Sequence, residues 1–163
     1  NLRRLLKLIV LLFFNTHDWK HRRSCFKKGT ECRFNLPQLQ CEELKVSYNT
    51  DNINDLLRGA TVEYTFKQYT LIVDELQKNK ITVVMQATLE CSRPQCGSTV
   101  DDVRALNQKL QAFAIARNIQ WLDLNPGLTN DVQGLLPKYT WDGLHLSKPA
   151  YLYWAERLKS FIP

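Results

Sequence analysis

From residue 61 onward the sequence predicts an α/β architecture, a parallel sheet covered on both faces by helices. Three observations carry this. Segments with apolar residues at intervals of three and four alternate with short apolar runs. Those runs are rich in β-branched residues and lack polar alternation, as strands buried on both faces require. The connections between them hold Pro and Gly, which punctuate a chain.

The first clear element is a helix with Val62, Phe66, Tyr69, Val73 and Leu76 on one face. Thr61 is placed to cap it, and Glu63 falls in its first turn, where the helix dipole favours an anion. Ile81 to Ala87 follows as a buried strand between Lys80 and a polar loop. A second helix carries Asp101 and Asp102 near its start and Val103, Leu106, Leu110, Phe113 and Ala114 on one face. Ile119 to Leu124 is a second strand, Asn125-Pro126-Gly127 a turn, and a loop runs through Gly134 and Pro137. The last helix starts near Lys148-Pro149, since proline suits a first turn. Tyr151, Trp154, Leu158 and Phe161 form its expected inward face. Trp121, Trp141 and Trp154 are core candidates, with Trp141 alternatively a wall of an acyl pocket.

The first fifty residues differ. They contain no alanine, one glycine (Gly29) and three of the five cysteines. They read as a divergent segment or the product of a damaged reading frame, and the absence of an initiating Met is compatible with a fragment. Leu2-Arg3-Arg4-Leu5-Leu6-Lys7 followed by Leu8 to Phe14 supports two readings, a signal peptide or a buried first strand. Leu44 to Tyr48 is a further strand candidate. One domain spanning 1–163 is expected at this length.

The net charge of +6 lies entirely in residues 1–50, where ten Lys/Arg meet four Asp/Glu; the remainder is balanced. Arg22, Arg23, Lys27 and Lys28 read as a solvated basic loop, and no nucleic-acid partner is expected. No run reaches the ~18 apolar residues of a membrane-spanning helix, so no stable membrane insertion is expected. The cysteines show no Cys-x-x-Cys and the histidines are scattered, which leaves no zinc pattern. Cys91 and Cys96 suit a bridge across four residues in an oxidising compartment, or two loop thiols. The compartment stays open, with periplasmic or secreted slightly ahead of cytoplasmic.

Chemistry concentrates at Thr140-Trp141-Asp142-Gly143-Leu144-His145-Leu146-Ser147. A carboxylate three residues before a histidine accepts the Nδ1 proton, fixes the tautomer and stabilises the imidazolium that forms as Nε2 takes a proton. The same spacing also fits a surface carboxylate and a helix-capping histidine. Asn54, in Asn52-Ile53-Asn54-Asp55, follows a strand candidate and is placed to offer its amide to an oxyanion. In an open α/β sheet, Asn54, Cys91 and His145 would all fall beyond the strands' carboxyl ends, where such folds bind ligands.

Taken together, Ile53-Asn54-Asp55-Leu56, Thr88-Leu89-Glu90-Cys91-Ser92 and Asp142-Gly143-Leu144-His145-Leu146 resemble the SGNH, or GDSL-type, esterases and lipases over residues 34–163. The resemblance implies a three-layer α/β/α sandwich with a flavodoxin-like parallel sheet. It implies hydrolysis of small-molecule carboxylic esters through an acyl-serine, with no cofactor and no metal. His145 would be the general base, Asp142 its orienting carboxylate, and Asn54 an oxyanion-hole donor, with Gly29 as candidate for the second donor.

The sequence departs from the family in two places. The glycine of the Gly-x-Asn-Asp block is replaced by Asn52, and the Gly-Asp-Ser turn is absent. If Leu8 to Leu12 is the first strand, Thr16 and Trp19 match the family's following Thr and Trp, and Phe14 occupies the serine position. The nucleophile is therefore unidentified. Ser24 lacks the strand-to-turn context that exposes a nucleophile, and Ser92, Ser98 and Ser147 read as turn or cap residues. His17 and His21 read as exposed loop residues. The rival reading is a catalytically dead domain of this kind that binds acyl or glycan ligands.

Overall fold

The computed structural model describes residues 10–14, 46–50, 52–78 and 83–161, with side chains described from Ile53 onward. Strand β1 is Val10–Phe14 and β2 is Val46–Thr50. After β2 come helices α1, Asn52–Leu57, and α2, Val62–Lys78. Strand β3, Val83–Gln86, leads through a loop to the single turn α3, Arg93–Cys96, and then to α4, Thr99–Ala116. Strand β4 is Gln120–Leu122, and α5, Asn125–Leu128, is another single turn. A hairpin of β5, Thr129–Asn130, and β6, Gly134–Leu135, precedes the last long helix, α6, Lys148–Leu158.

The four long strands form one parallel sheet in the order β1-β2-β3-β4. Val10 lies opposite Val46, Val46 opposite Val83, and Met85 opposite Trp121. Of the N-terminal apolar run, Val10–Phe14 forms strand β1, and its remainder lies outside the described residues.

Strand β3 shows why the sheet needs cover on both sides. Its four residues are all buried, and successive side chains of a strand point to opposite faces. Val83 and Met85 join Leu56 of α1, Tyr69, Ile72, Val73 and Leu76 of α2, and Val103, Leu106, Leu110 and Ala114 of α4. Val84 joins Leu122, Leu124, Leu128 and Leu135 with Ala150, Trp154 and Leu158 of α6 on the other face. Helices α1, α2 and α4, the sheet, and α6 are therefore three layers, the expected α/β/α sandwich. Each large apolar side chain taken out of water stabilises it by about 1.5–3 kcal/mol before entropy is counted.

Local chemistry sets the ends of these elements. The Thr61 hydroxyl accepts the Tyr64 N–H at 3.2 Å, one of the donors a helix start leaves unpaired. We expect Thr61→Ala to cost about 1 kcal/mol, read as a lowered urea midpoint with unchanged slope. Proline in the first turn of α6, at Pro149, forfeits no helical hydrogen bond.

Several sequence expectations are corrected. Tyr151 is not on the inward face of α6: it is half exposed, and Ala150 takes the buried position, four residues before Trp154. Tyr151 instead stacks on the Trp154 ring, 6.0 Å between centroids, covering it from the solvent side. Trp141 is not a core residue, being 73% exposed. Asn125-Pro126-Gly127 is a helical turn and not a plain one. The loop expected through Gly134 contains the small hairpin, closed because Asn130 Oδ1 accepts the N–H groups of Val132 and Gln133 at 3.1 and 2.7 Å. Gly134 opens the second strand of that hairpin with φ +66°, and a Cβ there would meet the Cys91 carbonyl oxygen at 2.3 Å. Cys91 and Cys96 form a disulfide.

Candidate active site

The segment Tyr139 to Ser147 is a closed loop. The Ser147 N–H donates to the Tyr139 carbonyl at 2.8 Å, and Thr140 and Leu146 pair as an isolated antiparallel bridge. Inside it the Thr140 hydroxyl donates to the His145 carbonyl at 2.7 Å and accepts the Gly143 N–H at 2.9 Å. Gly143 turns the chain with φ +86°, a conformation that L side chains rarely adopt. Asp142 and His145 sit at the tip.

Both oxygens of the Asp142 carboxylate are engaged. Oδ1 accepts the backbone N–H groups of Leu144 and His145 at 2.9 and 2.7 Å, and Oδ2 lies 2.5 Å from Nδ1 of His145. These bonds hold the Asp142 carboxyl well below the usual carboxylate range: the imidazole contributes most, then the two N–H groups, and partial burial opposes them without prevailing. An ionised carboxylate only accepts, so Nδ1 carries the proton. In the tautomer with the proton on Nδ1, Nε2 is the ring's acceptor, as a general base requires.

The His145 side chain is 65% exposed. The Trp141 indole stacks on the imidazole with centroids 5.4 Å apart and planes 13° apart. The indole thus restrains the ring from the face that no hydrogen bond reaches. A groove of about 450 Å³ opens beside Asp142 and Trp141, bounded by Ser92, Gln95, Gln133 and Pro137.

Asn54 lies in α1, directly after β2, and is half-buried. Its neighbour Ile53 packs on the buried cluster of Cys91, Cys96 and Val100. Leu144, the neighbour of His145, packs on the same cluster. The structure thus brings Asp142 and His145 into direct contact and hangs the Asn54 helix and the His145 loop on a common support. Gly29, Ser24, His17, His21, Thr16 and Trp19 lie outside the described residues. Phe14 is the last residue of β1. Ser147 donates to the Lys138 carbonyl at 3.1 Å, and Ser98 is exposed before α4. Among the described residues, no hydroxyl or thiol is hydrogen-bonded to His145 Nε2.

Sequence reasoning missed the residues that shape the loop after β3. Asn107 of α4 clasps Thr88, accepting its N–H and donating to its carbonyl, both at 2.8 Å. Asn125 donates to the same carbonyl at 3.1 Å and accepts the Glu90 N–H at 3.0 Å. The buried Glu90 carboxylate receives a fork from Arg104, Nε at 3.0 Å and one terminal nitrogen at 2.9 Å. The available signal was Asn107 itself, a poor helix former beside Leu106 in an otherwise regular helix.

No protein-family model matches the chain. A GDSL-like lipase from Bacteroides thetaiotaomicron superposes with a TM-score of 0.69 at 19% identity, over 95% of this chain and 86% of that one. An acetyl xylan esterase superposes with a TM-score of 0.65 at 14% identity, over 92% and 77%. A member of the lipolytic G-D-S-L family from Veillonella parvula gives 0.57 at 16% identity, over 76% and 66%. The fold is that of the GDSL-type hydrolases. In sequence, the chain is similar to N-acylneuraminate cytidylyltransferases of Streptococcus agalactiae, serotypes V and III, 28% identical over 116 residues. The match takes in 71% of this chain and only 28% of those proteins, so the chain spans just over a quarter of the curated relatives it matches.

Proposed function

We propose that the chain is an SGNH-type hydrolase domain over residues 1–163, acting on small-molecule carboxylic esters. His145 is the general base, Asp142 its orienting carboxylate, and Asn54 an oxyanion-hole donor, with Gly29 as candidate for a second. The observation that supports this most is the 2.5 Å contact between His145 Nδ1 and an Asp142 carboxylate that also accepts two backbone N–H groups, in a fold shared with lipases and esterases. In this reading Nε2 takes the proton of an attacking hydroxyl, and the imidazolium so formed is stabilised by Asp142. Donors around Asn54 then meet the charge that develops on the carbonyl oxygen. The attacking hydroxyl is unassigned.

The groove beside Trp141 supports a place for one side of the ester. Its indole supplies a flat apolar wall, and Gln95 and Gln133 offer neutral amides at the rim. We expect Trp141→Ala to raise KM for a short-chain aryl ester several-fold, with a smaller change in kcat. The Cys91–Cys96 bridge supports an oxidising compartment, periplasmic or secreted.

The test is fluorophosphonate labelling followed by intact mass and peptide mapping, on the parent and on His145→Ala. One adduct on a serine, lost in the variant, is the expected result. A folded parent that takes no adduct would sink the hydrolase reading. A second reading, a non-catalytic domain binding acyl or glycan ligands in this groove, is favoured by one observation: Phe14 ends β1 where the family's nucleophile would follow the first strand.

A further inference from the structure

We propose that the disulfide-closed turn Cys91 to Cys96 is the positioning element of the site, fixing the Asp142–His145 loop in the geometry where carboxylate and imidazole meet. The inference rests on the reading above only for its catalytic consequence.

Contacts to five residues reach out from this turn. The Ser92 N–H donates to the Gly143 carbonyl at 2.7 Å, between Asp142 and Leu144. The side of Ser92 lies so close to Gly143 that a Cβ there would meet Ser92 Oγ at 2.3 Å. The Arg93 N–H donates to the Gln133 carbonyl at 2.8 Å, and the Cys91 carbonyl accepts the Leu135 N–H at 3.2 Å, tying the turn to the hairpin. Leu144 and Ile53 pack on Cys91, Cys96 and Val100 from the two sides of the site.

A turn of six residues with one short helical stretch has little stability of its own. Here the Cys91–Cys96 bond restricts the turn's alternatives, and Cys96 and Gly97 N–H groups close it on the Ser92 and Arg93 carbonyls at 3.0 and 2.8 Å. The loop it supports is exposed and carries the imidazole at its tip. A loop held only by its own internal bonds samples other shapes; one docked on a covalently closed turn is held to a single one. Ser92, Cys91 and Cys96 are therefore positioning residues that act through Gly143 and Leu144.

Two variants of the full chain separate this from a general stabilising role. Cys91→Ala/Cys96→Ala removes the covalent closure. Ser92→Pro keeps it, at a residue whose φ of −70° already suits proline, and replaces the N–H that holds the Gly143 carbonyl by a ring carbon that pushes against it. Hydrogen exchange of the Leu144 and His145 amides, which bond Asp142 Oδ1, is compared with that of the Leu106 and Leu110 amides in α4. The shared imidazole proton is followed as a far-downfield NMR resonance.

Expected is a local effect. In both variants the Leu144 and His145 amides exchange about fivefold faster or more, the equilibrium worth of one backbone hydrogen bond, while α4 is unchanged. A downfield resonance is expected in the parent and is expected to broaden or vanish in both variants. Unchanged exchange at Leu144 and His145 in both variants, acceleration throughout the chain in parallel, or a downfield resonance retained in both overturns the proposal. Neither readout needs ester turnover. A parent without hydrolysis but with the expected exchange pattern counts against the function proposed above and for the positioning role.

Discussion

On the hydrolase reading proposed above, His145→Ala is expected to lower kcat for a short-chain aryl ester by about 10⁶-fold, leaving only what binding and oxyanion donors supply. The size follows from the division of labour at the site. A hydroxyl at neutral pH is a poor nucleophile until a base takes its proton in the transition state, and alanine offers no acceptor there. Asp142→Asn is the companion change. An asparagine oxygen can still accept from Nδ1, but its NH₂ favours the wrong tautomer, and a loss of about 10⁴-fold is expected with the fold retained. Initial rates across substrate concentration, with circular dichroism on the same samples, check both. Equal rates in parent and His145→Ala would remove His145 from the mechanism.

The pH behaviour follows from Asp142. Its folded-state carboxyl is held below the ordinary value of about 3.9, so its contribution to stability is fully present above that value and is lost as pH falls through the folded one. Across neutral pH the carboxylate stays ionised. An acid limb in the rate profile near neutrality therefore belongs to another group.

Leu106→Ala has the largest expected effect on stability, about 2–5 kcal/mol. Leu106 is fully buried on the α4 face toward β3, packed with residues of α2 and with Met85. Three carbons are removed from a place where the sheet and two helices meet, and neighbours fixed in regular elements relax only partly into the space. For a chain of this size the corresponding fall in Tm is about 5–15 °C, measured by calorimetry. The cavity lies in the layer opposite α6, so activity below the new Tm is expected to survive.

The sequence was most legible where burial and periodicity coincide. Val73, Leu76, Leu106, Leu110 and Ala114 could be placed because a helix repeat of 3.6 residues leaves one apolar stripe and a covered sheet leaves one destination for it. Strand β3 was legible for the complementary reason, since all its residues are buried. Apolarity failed as a guide where large rings serve other purposes. Tyr151 covers Trp154 from outside, and Trp141 spends its ring on an imidazole; in both, the aromatic face is used while much of the residue stays in water. The hairpin was illegible because strands of two residues have no period, and their closure depends on one side-chain oxygen, that of Asn130. Within the site, Asp142 and His145 were legible because their partnership is local. The support given by Asn107, Asn125 and the Cys91–Cys96 turn was not, because it depends on elements brought together only by the fold.

That locality has an evolutionary consequence. The Asp142–His145 pair is assembled by bonds within the nine residues from Tyr139 to Ser147, while β1 lies at the other end of the chain. Changes at one end leave the other intact. If the pair acts as proposed above, a lineage built this way can lose its attacking group without unravelling the paired carboxylate and imidazole, or acquire a new one beside them. Catalysts and binding proteins on this scaffold are then separated by few substitutions, and a chain between the two states remains a viable step in either direction.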